Sequence, residues 1–517
     1  MSASIVTDEN SPTGKVTPGP APRWQTICMW VVPLAFLAIA ICMRLYNLGQ
    51  PFDHDGYDEG VYWQSLRAMA AGHTLYQQVF YSQPPFFLLS TYPIFALFGN
   101  TLWSARFGIA LVSLLGLPGA FLMGKALSGR SGAIVAMLLL VLDPLYLSMS
   151  QKIEAEVSST AFSFLAVGAA YLWWENPDGP GGVYLAALSG ITLSLGILCK
   201  LLSVTSIVPV GLLLLARLWQ IWHKQAGTNT RSLRPIVITG IACLATFLIV
   251  VAPFLGSYSS MLRDVITFHT DAKMALINNQ VHNAAIMQSF LQSTLPLTIA
   301  AAFGLLAALL RRDWRVLPLV AWALVTLYIL WIQVPLFYRH FIALIPPLIS
   351  LAVMGIGSIS SARDFVARFK PPQVLTSLAL LLIVVIIGTD LPQYQPYYQT
   401  ASLYGTDTNA KFRAHVANDV RDSIAPDQLV VTDGQFVVSM AGRNTPPDLV
   451  DTSIVRIVTG YVTLQQLIHD ASQPQVHAVL FFMDRLDLPQ LTAFHAWVAQ
   501  HFHLKYKYGP GKELWVR

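Results

Sequence analysis

Residues Phe52–Tyr62 read FDHDGYDEGVY. Four carboxylates (Asp53, Asp55, Asp58 and Glu59) and His54 crowd into this stretch, directly behind an apolar run over about 25–46. Charge at the lip of a membrane span is costly unless water or a partner group meets it. The stretch is therefore either a solvated acidic loop or a water-facing site at the membrane surface. Calcium is a poor fit, because an EF-hand needs ligands at alternate positions and a Glu at the twelfth.

The wider chain favours a membrane protein. It has 517 residues, 54% hydrophobic and 11% charged, with mean hydropathy +0.54. Soluble domains carry about 25% charge. The net charge of +5 comes from Lys and Arg in short loops, without the basic, aromatic-laced patch that nucleic acid requires. Cys28, Cys42, Cys199 and Cys243 all fall in apolar runs, where they read as small buried hydrophobes rather than disulfide partners. Residues 1–22 read as a disordered cytoplasmic tail and not as a signal peptide.

About eleven spans follow from runs near the roughly 20 residues needed to cross a bilayer: 25–46, 101–124, 131–148, 157–174, 183–199, 203–221, 235–256, 290–310, 316–333, 341–358 and 373–391. Between the first two, Glu59, Tyr62, Trp63, Leu66, Met69, Ala70 and His73 recur at helical spacing and predict a surface helix, apolar side down. Phe86–Phe98 is too short to span and reads as a second interfacial segment. With the amino terminus inside, the basic loops at 125–130, 222–234, 311–315 and 363–370 all become cytoplasmic, while the acidic segments 52–59 and 154–156 share the opposite face.

From about 393 the pattern is that of a soluble domain. Strands are expected at 429–432 and 477–482, helices at 408–424, 463–471 and 488–502, and a terminal hairpin at 506–517. The expected organisation is a tail (1–22), an all-α polytopic membrane domain (23–392) and a small extracytoplasmic α/β domain (393–517).

Several residues on the outer face carry candidate chemistry. Asp58 and Glu59 suit general-base work if burial tunes their proton affinity. Glu154 and Glu156 open the fourth span; residues two apart on a helix diverge, so only one of them is expected to face a shared cavity. Lys200, in GILCKLLSVTS, and Arg339-His340, in VPLFYRHFIALIPPL, suit a phosphate. The bland alternatives are a solvated loop, helix-terminal charge, a snorkelling Lys and an interfacial Arg. Tyr57, Tyr62, Trp63 and Tyr81 also suit an interfacial belt. A transporter or lipid flippase is the rival class; it predicts midplane charges on broken helices in related halves, and no such halves are found.

The motifs resemble the GT-C glycosyltransferases (family 39-like), in particular the protein O-mannosyltransferase and aminoarabinose transferase group. The matching pieces are Asp58-Glu59-Gly60-x-Tyr62, Tyr81-Ser82-Gln83-Pro84-Pro85, Leu97-Phe98-Gly99 with Trp103-Ser104-Ala105-Arg106, Glu156 after Ser150-Gln151, Lys200 in Leu-x-Lys, and Arg339 before Pro346-Pro347. They cover about residues 25–358.

The resemblance implies an inverting plasma-membrane transferase. Its donor would be a polyprenyl-phosphate sugar, taken on the outer face, and its acceptor a protein, lipid or polysaccharide. Asp58, with Glu59 and Glu156, would be catalytic. Lys200, Arg339, His340 and Lys152 would hold phosphate. Tyr57, Tyr62, Tyr81, Gln83 and Glu154 would line the substrate. Relatives often carry Lys at Gln83 and Arg at Gln151, so this chain lacks two phosphate contacts. A divalent ion, magnesium or manganese, between Asp58 and Glu156 stays open at this point.

Overall fold

A computed structural model describes residues 23–50, 56–175, 177, 181–223, 233–276, 280–361, 381–393 and 408–517. Asp53, His54, Asp55, the tail 1–22 and the basic loop 363–370 lie outside the described residues.

The apolar runs form helices. By length and composition, six described helical stretches can cross a membrane, or seven if Gln280–Ser293 and Leu295–Leu310, bent by 81°, make one span. Val31–Leu45, Phe86–Phe98, Val316–Ile332 and Leu381–Gln393 are shorter apolar helices. The chain is a multi-pass membrane protein. The stretch Leu102–Val141 is not one rod: Ser128 and Gly129 leave helical geometry, with Gly129 at φ 67°. A Cβ on Gly124 would stand 2.2 Å from the Gly132 carbonyl oxygen, so the chain reverses here and the expected second and third spans form a hairpin. Phe86–Phe98, at about 20 Å, is too short for roughly 30 Å of hydrocarbon.

The helix Ala155–Glu175, rich in Ala, Ser and Gly, lies at the centre. Small residues let neighbours approach closely, and 94% of its apolar window is buried against 17% for Arg234–Ala275, which faces outward. Charged residues gather at both ends of the bundle. At one, Arg315 donates to the Ala126 carbonyl (3.1 Å), pairs with Glu175 and Asp313, and accepts at its own carbonyl from the Tyr171 hydroxyl (2.8 Å). At the other lie Asp58, Glu154, Glu156 and Lys200.

Beyond residue 408 a four-stranded sheet has order β1-β2-β4-β3, with β1 Leu429–Thr432, β2 Val476–Phe481, β3 His503–Gly509 and β4 Lys512–Val516. The β1–β2 pair is parallel and the others antiparallel. Helices Thr408–Ser423, Leu464–Ala471 and Thr492–His501 cover it, with one apolar cluster on each face. Gln435–Met440 and Ile454–Val458 are additional short helices.

The helix Tyr57–Ala70 departs from expectation. It is not laid on a lipid surface; it is buried on nearly every side. Its outer side is covered by the sheet-containing unit. Trp63 packs edge-on to Phe436 (5.7 Å), and the Gln64 amide exchanges hydrogen bonds with Arg443 O (3.0 Å) and Thr445 N (3.2 Å). The Arg67 Nε donates to Asn444 (2.9 Å). A Cβ on Gly60 would lie 2.4 Å from the Phe436 amide nitrogen, so only glycine permits this approach.

Candidate active site

Four chain segments deliver charge to one place. Asp58 stands in the first turn of Tyr57–Ala70, just after Gly56 turns the chain at φ 59°. Glu156 stands in the first turn of Ala155–Glu175, where the helix dipole favours a carboxylate. Lys200 is the extended residue that ends Gly182–Cys199, so its side chain leaves the helix end. Arg339 lies in the tight turn Tyr338–Leu344, which leads into Ile345–Ser361.

Arg339 is the hub. Its Nη2 pairs with Asp58 Oδ2, and its Nε lies 3.2 Å from Glu156 Oε1 and 3.9 Å from Glu154 Oε2. The guanidinium also sits 4.5 Å over the Phe337 ring. Lys200 Nζ reaches Glu156 Oε1 at 2.5 Å, and His340 Nε2 lies 3.6 Å from the same oxygen. Glu154 and Glu156 both reach Arg339, against the expectation that only one would. Glu154 precedes the helix, so helical divergence does not apply to it.

Exposure divides the roles. The Glu156 side chain is fully buried, whereas that of Asp58 is 34% exposed. Asp58 is the more accessible carboxylate, and Glu156 meets both Lys200 and Arg339 from a buried position. Burial pushes the Asp58 carboxyl above its ordinary value of 3.8, against the pull of Arg339. Burial lifts Glu154 well above its ordinary value too, with Arg339 opposing and Glu156 and Asp58 adding. Three carboxyl groups, Asp58, Glu154 and Glu156, thus gather around two cations, Arg339 and Lys200.

Glu59 points elsewhere. Arg106 clasps it through Nε (2.7 Å) and Nη2 (2.6 Å), and the Ile153 amide donates to it (3.0 Å). Arg106 also donates to the carbonyls of Leu48 (3.0 Å) and Gln50 (2.5 Å). Both side chains of the pair are wholly buried. This is a positioning clamp that ties the Asp58 helix to the loop before Glu154. Sequence reasoning missed the function of Arg106, although a charge inside an apolar run signals a partner.

The other expected residues are scattered around this centre. Tyr62 packs on Phe87 (5.0 Å) and Tyr81 (6.3 Å). Burial raises its phenol well above the usual range, with Asp58 adding. The buried Tyr81 hydroxyl has no hydrogen-bond partner. Tyr57 donates to Asp451 (2.9 Å) beneath the Arg485 guanidinium, so it joins the two units. Gln83 is buried, and its carbonyl accepts from the Tyr76 hydroxyl (2.7 Å). Lys152 is half-buried in the turn before Glu154. The His269 ring, which the sequence left in a polar loop, lies 2.9 Å from the Ser82 carbonyl.

A metal does not fit well between Asp58 and Glu156, because Arg339 already bridges them. Among the described residues no group of three or more His, Cys, Asp or Glu is placed to hold one.

Comparison with known proteins agrees with this architecture. The family model of dolichyl-phosphate-mannose-protein mannosyltransferases matches residues 34–258. No curated protein matches by sequence. The fold is similar to ArnT from Cupriavidus metallidurans bound to undecaprenyl phosphate, with TM-score 0.61 and 15% identity over 96% of this chain and 98% of that one. It is also similar to the oligosaccharyltransferase AglB from Archaeoglobus fulgidus in complex with an inhibitory peptide and a dolichol-phosphate. There the TM-score is 0.54 and the identity 13%, over 96% of this chain and 75% of that one. Over residues 34–258 the chain therefore carries the sequence pattern of the dolichyl-phosphate-mannose-protein mannosyltransferases, and over nearly its whole length it has the fold of the GT-C glycosyltransferases.

Proposed function

We propose that this protein is an inverting glycosyltransferase of the plasma membrane. It takes a hexose or pentose from a polyprenyl-phosphate donor on the extracytoplasmic face, with its amino terminus in the cytoplasm. The family match and the lipid phosphates bound by ArnT and AglB support the donor class. The observation that carries the reading is that Arg339 touches both the open carboxylate Asp58 and the buried Glu156–Lys200 pair.

The donor phosphate takes the place of carboxylate oxygens on Arg339 and Lys200, held by charge fixed in advance. His340 Nδ1 faces the Phe337 amide, which leaves Nε2 to carry a proton beside Glu156. Once Arg339 turns to phosphate, Asp58 loses its cation and its proton affinity rises. It then accepts the proton of the acceptor hydroxyl as that oxygen attacks the anomeric carbon. The bond from that carbon to the phosphate oxygen breaks, the electron pair stays with the polyprenyl phosphate, and the configuration inverts. No step is routed through a divalent ion. Labelled polyprenyl-phosphate sugar supplied to the protein in vesicles tests this reading: the label passes to an acceptor fraction, whereas movement across the bilayer with the donor intact marks a transporter instead.

A further inference from the structure

A second cavity of about 420 Å³ lies away from the Arg339 cluster, where the loop at 76–80 and the helical turn Arg263–Thr267 meet Asp448, Arg456, Tyr461 and Gln466 of the sheet-containing unit. Its size is in the range of small-ligand sites. Two buried polar atoms in its walls lack partners. Asp264 is 1% exposed; its Oδ1 accepts from Arg263 Nε (3.0 Å), but its Oδ2 has no hydrogen bond. Arg456 is 3% exposed; its Nη atoms donate to the carbonyls of Asp448 (2.7 Å), Asp451 (2.5 Å) and Tyr461 (3.3 Å), yet its Nε has no partner. Both side chains line the cavity, and leaving a buried donor and a buried acceptor unmet costs stability.

The charge selects the ligand class. Two guanidinium groups, Arg263 and Arg456, face two carboxylates, Asp264 and Asp448. This balance rewards neither a phosphate nor a cationic peptide. Rings stand beside the polar atoms: Phe80 packs edge-on to Tyr461 (6.0 Å) under the Arg456 guanidinium (3.9 Å). Gln466 is anchored to Asp448 at 2.7 Å, which leaves its amide oxygen as a further acceptor. Carboxylate, amide and guanidinium groups together suit a neutral polyhydroxyl ring, whose hydroxyls both donate and accept. The cavity is tied to the transfer site by a short path. Asp451, three residues after Asp448, holds the Tyr57 hydroxyl next to Asp58.

We propose that this cavity binds a neutral sugar unit of the acceptor, so that the acceptor is a glycan. The inference rests on the transferase reading above. The test uses the full chain in lipid nanodiscs and reads binding by saturation-transfer NMR and calorimetry. Neutral trisaccharides of glucose, mannose and xylose are compared with a hexuronate trimer and a Ser/Thr-containing peptide. At least one neutral trisaccharide binds, and Tyr461→Ala and Gln466→Ala each weaken it about tenfold, with undecaprenyl phosphate binding unchanged. Gln466 is half-exposed, so its variant keeps the test valid if Tyr461→Ala folds poorly. Binding of the peptide or the anionic trimer alone, no binding, or equal binding by both variants overturns the proposal. Sugar binding without any transfer from labelled donor leaves this pocket standing and removes the transferase reading instead.

Discussion

Arg339 and Asp58, 281 positions apart in the chain, are joined as a guanidinium–carboxylate pair, and the same guanidinium reaches Glu156. The pair keeps the exposed carboxylate occupied until something more attractive to Arg339 arrives. On the proposed mechanism, activation of Asp58 is linked to arrival of the donor phosphate at Arg339.

Asp58→Asn keeps the size of the side chain and removes its basicity. Transfer falls about 10²–10⁴-fold with normal expression and an unchanged melting temperature, measured with labelled donor and a detergent thermal-shift assay. In the unaltered protein, the rate rises with pH through an apparent pKa above 3.8, because burial raises Asp58 and only its deprotonated form accepts the proton. A flat profile through that region separates Asp58 from the proton transfer.

Lys200→Ala removes the 2.5 Å bond to Glu156 and one donor to the phosphate. The expected result is a rise of about ten- to a hundredfold in KM for the lipid donor, with KM for the acceptor unmoved. Steady-state kinetics varying each substrate in turn make the distinction.

Arg106→Ala leaves Glu59 buried and unpaired. Removing one partner of such a pair costs about 3–5 kcal/mol, seen as early thermal unfolding. Glu59→Leu combined with Arg106→Leu recovers much of that stability, because the penalty lies in the orphaned charge. If the single and double variants melt alike, the clamp is not what holds the helix.

Asp470 lies in the helix Leu464–Ala471 of the sheet-containing unit. Burial, followed by the neighbouring Asp448 carboxylate, pushes it up to about 7 from 3.8. Between those values the folded chain holds a proton that the unfolded chain releases, so stability falls as pH rises across the window. Asp470→Asn flattens that slope in melting curves taken from pH 4 to pH 8, a range of about four units.

Chelation gives a further check. Because Arg339 already bridges Asp58 and Glu156, prolonged EDTA treatment leaves transfer intact. Loss of activity that magnesium or manganese restores would place an ion there after all.

The sequence made the apolar helices legible because hydrocarbon imposes one simple demand, a long apolar run. The strands Leu429–Thr432 and Val476–Phe481 were also legible, the second read one residue late, as short buried runs. Other features had no local signal. The apolar side of Tyr57–Ala70 looks the same whether it meets lipid or protein, and its cover arrives 379 positions later, where Arg443 meets Gln64. Asp58 and Glu59 are neighbours in sequence, yet successive residues on a helix point about 100° apart. One therefore meets Arg339 and the other Arg106, and nothing local says which. Gln435–Met440 and Ile454–Val458 are too short to show a period.

The missing side chain at Gly60 has a last consequence. With the Phe436 backbone seated where a methyl group would otherwise be, any side chain at position 60 would push the sheet-containing unit off the helix Tyr57–Ala70. Cleaving the chain ahead of residue 408 would uncover the helix that carries Asp58.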